Sequence, residues 1–280
     1  MIKKLKKLRN NMKELCIKTR DGAEICLLYF ASKKKNAPLI FDIHGGGYIW
    51  GEAKGNEKLC EVLAEKCGAC IATVDYRLAP KVRYPKATDD CKDALRYLID
   101  NDEFDFDRDK IFLMGHSAGG NAVVSVSAEM GDLIAGQILD YPWLDVRLNR
   151  RKPYIMHSIP DFLINHMSRS YFRPEDREKH DASAVLMTMD EARKMPKTLL
   201  ITCGRDTLKY DGAIFKKLLS EAGVPIEHKE YADAIHGFVE IYFSGRMKNQ
   251  FLLGKSLIKT NEELAWDFIR EVKSFVDNTP

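Results

Sequence analysis

The sequence predicts an α/β fold built on a mostly parallel central sheet of about eight strands flanked by helices. Three observations point there. Short apolar runs alternate with segments of helical spacing, the pattern of βαβ units. Asp21-Gly22 sits between two apolar runs and marks an antiparallel hairpin on one edge. The stretch 110–120, KIFLMGHSAGG, reads as strand, sharp turn and helix.

In chain order, the runs at 14–19 and 23–30 form the hairpin, and a charged turn at 32–36 leads to a buried-type strand at 38–43. His44-Gly45-Gly46-Gly47 follows that strand directly. Apolar positions 59, 60, 62 and 63 make 56–66 helical, and 69–74 is a strand. Positions 87, 91, 94, 95 and 98 give a helix over 87–99. Strands follow at 111–114, 134–139 and 198–203, then a helix at 213–222 closed by Gly223. The last strand is 226–231, and a terminal helix spans 261–276 with a cap expected near Thr260 or Asn261. The alternation breaks only at 145–197, which is rich in Arg and Lys, has no strand pattern and carries helical apolar spacing. It reads as a helical cap inserted within a single domain of residues 1–280. Active sites of open α/β sheets lie beyond the carboxyl ends of the strands, so such an insertion would cover one.

Composition is that of an ordinary globular chain, 45% hydrophobic and 30% charged. A net charge of +3 is too small to imply a nucleic-acid partner. The lysine-rich start, residues 1–9, is followed by polar rather than apolar residues, which is not the pattern of a signal peptide. No apolar run is long enough to span a membrane. The seven cysteines, an odd number set mostly in apolar runs, read as reduced, buried thiols of a cytoplasmic protein. Cys67 and Cys70 form a single C-x-x-C across a helix end and a strand start, which reads as structural rather than as a metal or redox site.

The chemistry centres on Gly115-His116-Ser117-Ala118-Gly119, a G-x-S-x-G elbow. A serine at the tip of such a turn presents its hydroxyl freely, provided the residues two positions either side lack side chains. Serine is a poor nucleophile until a base takes its proton, and the base needs an orienting acid. His236 is the histidine placed in a loop after the late strands, whereas His228 falls within a strand. His116 is adjacent to the serine and points away in a sharp turn. His157, His166 and His180 fall in the insertion without metal-ligand spacing. Asp206 follows a strand and is the leading acid; Asp211, at a helix start, and Asp233, three residues before His236, are the alternatives. The glycines at 45–47 let backbone N–H groups turn toward a developing oxyanion, and the N–H of Ala118 completes that set.

His44-Gly-Gly-Gly47, Tyr76-Arg-Leu-Ala-Pro80, Gly115-His-Ser-Ala-Gly-Gly120, Asp206-Thr-Leu208 and His236-Gly-Phe238 together resemble the hormone-sensitive-lipase-like family of α/β-hydrolase esterases, over roughly residues 38–240. The resemblance implies an α/β-hydrolase fold and a serine carboxylesterase acting on short to medium acyl chains without metal or cofactor. It implies Ser117 as nucleophile, Asp206 as acid and His236 as base. The oxyanion hole is then expected at Gly45, Gly46, Gly47 and Ala118, with Gly45 shaping the loop. Tyr48, His116, Trp143 and Phe238 are the expected substrate contacts, with Phe162 and Leu163 of the insertion over them. The partner is a small-molecule ester, and a homodimer is left open. An arylformamidase or peptidase would use the same three residues; a receptor-like binding protein would lack the base, and His236 is present. Two features depart from the family. His116 stands where many members have Asp, and only 43 residues precede the glycine loop, so the cap must come mainly from 145–197.

Overall fold

The computed structural model describes residues 12–149, 159–245 and 255–280. The basic stretch 1–9 and part of the predicted cap, His157 included, lie outside the described residues. Eight strands form one sheet: β1 (Met12–Lys18), β2 (Glu24–Phe30), β3 (Leu39–Ile43), β4 (Cys70–Asp75), β5 (Ile111–His116), β6 (Gly136–Asp140), β7 (Lys197–Arg205) and β8 (Ile226–Ile235). Their order is β1-β2-β4-β3-β5-β6-β7-β8. From β4 to β8 every pairing is parallel, and the β1–β2 hairpin joins antiparallel at one edge. The fold is the α/β-hydrolase fold.

Helices cover both faces: α1 (Glu57–Cys67), α2 (Lys86–Asp100), α3 (Ala118–Met130), α4 (Asp161–Tyr171), α5 (Met189–Ala192), α6 (Lys209–Glu221), α7 (Phe238–Phe243) and α8 (Lys255–Asp277). Successive strand residues feed opposite layers. In β5, Leu113 packs with α2, α3 and α6, through residues such as Leu95, Val123 and Phe215. Phe112 and Met114 face the other layer, with Leu63 of α1 and Phe268 and Phe275 of α8. Each fully buried side chain of this kind is worth about 1.5–3 kcal/mol over exposure.

Three sequence expectations change. Cys16 and Cys26 form a disulfide, because they face each other directly in the β1–β2 register. The reading of all seven cysteines as reduced thiols is therefore corrected, and it no longer supports a cytoplasmic location. The other five are free and buried; Cys67 ends α1 and Cys70 opens β4. The terminal helix begins at Lys255, which puts the expected cap residue Asn261 inside it and fully buried. Helix α7 has no counterpart in the sequence reading. Among the described residues no helix is long and apolar enough to cross a membrane.

The parallel core gathers four strand ends on one edge of the sheet. The residues immediately after β3, β5, β7 and β8 are His44, Ser117, Asp206 and His236.

Candidate active site

Ser117 sits between β5 and α3 at φ 53° and ψ −114°, a conformation that costs on the order of 1–3 kcal/mol and persists only where its surroundings enforce it. Those surroundings are visible. The Ser117 N–H donates to Asp140 O at 2.9 Å, and its carbonyl accepts from Trp143 N–H at 2.9 Å. A Cβ on Gly115 would lie 2.3 Å from Gly119 O, and one on Gly119 would lie 2.0 Å from Ile43 O. Both positions therefore require glycine.

His236 reaches the serine from the turn after β8. Its Nε2 lies 2.9 Å from Ser117 Oγ, and its Nδ1 lies 2.6 Å from Asp206 Oδ2. A carboxylate only accepts, so Nδ1 carries the proton and the Nε2 lone pair faces the serine hydroxyl. Asp206 is fully buried, and its other oxygen accepts from Leu208 N–H at 3.1 Å. Burial lowers the proton affinity of His236. The charge and hydrogen bond of Asp206, with the charges of Glu240 and Asp140, outweigh this and hold it above its ordinary 6.5. The alternative acids are engaged elsewhere. Asp211 accepts from the N–H groups of Leu144 and Asp145 at 3.3 and 3.0 Å. Asp233 pairs with Arg205 at 3.2 Å. His228 contacts Thr202 and Lys216, and His180 contacts Glu191.

The glycine loop bends around the serine from β3. Gly46 and Gly47 have φ of +115° and +62°, and a Cβ on Gly46 would lie 2.2 Å from Trp50 O. The loop is braced by Tyr76, whose hydroxyl donates to His44 O at 2.9 Å and whose ring stacks on His44 at 4.1 Å. Gly45 departs from the four-residue oxyanion set. Its N–H donates to Glu240 Oε1 at 3.0 Å, so it anchors the loop and has no free donor. Among the described residues, the N–H groups of Gly46, Gly47 and Ala118 have no acceptor.

Ser117, His236, Gly46 and Gly47 border a cavity of about 360 Å³. Trp143, Ile164, Met167 and Leu208 form an apolar side, and Asn56, Glu240 and Ser244 a polar one. Of the four expected substrate contacts, Trp143 lines this cavity and three do not. Tyr48 is fully buried, with its hydroxyl donating to Asn121 at 2.7 Å and its ring stacked on Tyr171 at 4.2 Å. Phe238 is buried against Tyr141 and Tyr231. His116 continues the Phe112–Met114 side of β5 and faces Phe268 of α8 rather than the cavity. In the insertion, Leu163 lines the cavity while Phe162 points to solvent.

His116 instead bridges two buried carboxylates, with Nδ1 2.8 Å from Asp140 Oδ2 and Nε2 3.1 Å from Asp42 Oδ1. Burial raises Asp140 to about 6, while His116 outweighs burial at Asp42 and holds it low, so above that pH both carboxylates accept and each ring nitrogen of the imidazolium carries a proton. Burial opposes that charge, and the two aspartates overcome it, holding His116 well above its ordinary value. This ion cluster ties together β3, β5 and β6, the strands from which the glycine loop and the serine emerge.

Sequence reasoning missed Tyr76 as a brace and Glu240 altogether. Tyr76 had a signal, since it opens the Tyr76–Pro80 motif. Glu240 would have needed α7 to be recognised.

A family model for the alpha/beta hydrolase fold matches residues 40–240. An arylesterase of Saccharolobus solfataricus is 28% identical over 238 residues, covering 81% of this chain and 76% of its own. An ethyl acetate hydrolase of Pseudomonas putida is 26% identical over 244 residues, with the same two coverages of 81% and 76%. Among solved structures, an esterase of Pyrobaculum calidifontis matches with a TM-score of 0.81 at 27% identity, covering 97% of this chain and 88% of that one. The esterase relatives and the shared fold support a carboxylic ester hydrolase. With the family match spanning well over half of its length, the chain belongs to the hormone-sensitive-lipase-like family of α/β-hydrolases.

Proposed function

We propose that the protein is a serine carboxylesterase that hydrolyses short-chain esters through an acyl-enzyme on Ser117. The observation that carries this reading is the run of contacts from the buried Asp206 through His236 to Ser117, at 2.6 and 2.9 Å, with His236 and Ser117 on the wall of one cavity. In this mechanism Ser117 Oγ attacks the ester carbonyl carbon as His236 Nε2 takes its proton. The carbonyl oxygen becomes an oxyanion and accepts from the N–H groups of Gly46, Gly47 and Ala118. His236 then returns the proton to the departing alcohol. Water, deprotonated by the same histidine, attacks the acyl carbon and releases the acid and Ser117.

The acyl preference follows from the apolar side of the cavity. Met167 of α4 packs onto Gly47, where a Cβ would meet its Sδ at 1.8 Å, so α4 closes directly over the glycine loop. We read 145–197 as the cap that sets this limit. On this reading the acyl group lies beside Trp143 and Leu208, and a longer chain presses against Met167 and Ile164 of α4. An apolar pocket discriminates by only about 1–3 kcal/mol per methylene, so selectivity is graded. With p-nitrophenyl acetate, butyrate and octanoate, kcat/KM is expected to be at least about 10-fold higher for the two short esters than for octanoate. An aryl formamide or dipeptide hydrolysed faster than all three would replace this reading with an amidase on the same residues.

A further inference from the structure

We propose that Glu240 is a positioning residue for the hydrolysis described above, its carboxylate tying the oxyanion loop to the turn that carries the base. The inference rests on the esterase reading and extends it to a residue outside the Ser-His-Asp set. Glu240 lies four residues after His236, in the short helix α7. Its Oε1 accepts from Gly45 N–H at 3.0 Å, and its Oε2 lies 3.5 Å from the Tyr141 hydroxyl. A Cβ on Gly45 would lie 2.9 Å from Oε2 and 3.1 Å from His116 O, so only glycine admits the carboxylate here.

Two features separate this contact from ordinary packing. Gly45 directly precedes Gly46 and Gly47, whose N–H groups are the proposed donors. A loop of three glycines has little rigidity of its own. Its other anchors, the His44 ring on Gly45 O at 2.7 Å, the Tyr76 hydroxyl on His44 O and the Ile49 and Trp50 N–H groups on Gly46 O, do not touch the base segment. Among the described residues, the hydrogen bond from Gly45 N–H to Glu240 joins the glycine loop to the segment bearing His236. The second feature is charge. Glu240 borders the cavity, and among the described residues no lysine, arginine or histidine pairs with it. Its field acts on His236, alongside Asp206 after β7 and Asp140 on β6, and it acts as well on the buried His44 and on His116, the cation that Asp140 holds; Ser117 and the Tyr141 ring are the neutral neighbours of His236. A carboxylate there favours the imidazolium that forms as Ser117 gives up its proton.

Glu240→Ala and Glu240→Gln separate the two effects. Glutamine can still accept from Gly45 N–H, and its amide can donate to the Tyr141 oxygen, but it carries no charge. With p-nitrophenyl acetate, Glu240→Ala is expected to lower kcat by about 10- to 100-fold while KM changes by less than about threefold, since oxyanion donors act in the transition state and small misplacements are costly. Glu240→Gln should lower kcat by no more than about fivefold. The acid limb of wild-type kcat/KM should lie above pH 6.5. Both variants should move it to lower pH, because removing the negative charge makes His236 easier to deprotonate. A folded Glu240→Ala enzyme with wild-type kcat would overturn the proposal. So would a Glu240→Gln enzyme whose acid limb stays in place, even if the alanine variant fails to fold. Failure of the esterase reading itself would look different, as turnover that survives Ser117→Ala.

Discussion

Ser117→Ala is expected to lower kcat for p-nitrophenyl acetate by about 10⁴-fold or more, with a wild-type melting temperature. The substitution removes only Oγ, whose partner is His236 Nε2 at 2.9 Å. The backbone at φ 53° is held by Asp140 O and Trp143 N–H, and neither contact needs the hydroxyl. Alanine has the same Cβ, so no new clash arises. Without the nucleophile, water must attack directly, assisted only by the oxyanion donors and substrate binding. Retention of more than a tenth of wild-type turnover would remove Ser117 from the mechanism.

Asp206→Asn is expected to cost about 10⁴-fold in kcat. The carboxylate lies 2.6 Å from His236 Nδ1 and fixes the proton there. An asparagine amide can turn its NH₂ toward the ring and favour the tautomer with hydrogen on Nε2, which cannot accept the serine proton. Asp211→Asn should cost less than about tenfold, because one amide oxygen can still accept from the Leu144 and Asp145 N–H groups. The reverse ranking, measured side by side with melting temperatures, would make Asp211 the acid.

The sheet and the residues around Ser117 were legible in the sequence because their signals are local. Most strands are short apolar runs, and the serine and the acid each follow one; the histidine follows β8, whose residues are largely polar. The glycines at 115 and 119 betray their crowding by being glycines. Side-chain direction was harder to read, though not always hidden. Phe112, Met114 and His116 alternate with Leu113 along one strand, so a period of two already sends His116 away from the cavity. Phe238 lies two residues from the base, which by itself suggests a cavity wall; α7 turns it away. On a helix, residues 238 and 240 point to nearly opposite sides, which buries Phe238 and sends Glu240 to Gly45. Tyr48 depends on Tyr171 and Asn121, partners far along the chain that no local pattern links. The disulfide could have been anticipated, since Cys16 and Cys26 are equidistant from Asp21 in a hairpin whose register is set by its turn.

A covalent intermediate on Ser117 can be trapped with a fluorophosphonate. Attack by Ser117 Oγ on phosphorus expels fluoride and leaves a stable phosphonyl ester whose mass can be read. One equivalent of label is expected on the wild-type protein, carried by the tryptic peptide Ile111–Arg147 and localised by fragmentation to Ser117 rather than Ser125 or Ser127. No label is expected on Ser117→Ala, and slowed labelling on Asp206→Asn. An unlabelled wild-type protein that still hydrolyses esters, or a label carried by any other residue, would contradict an intermediate on Ser117.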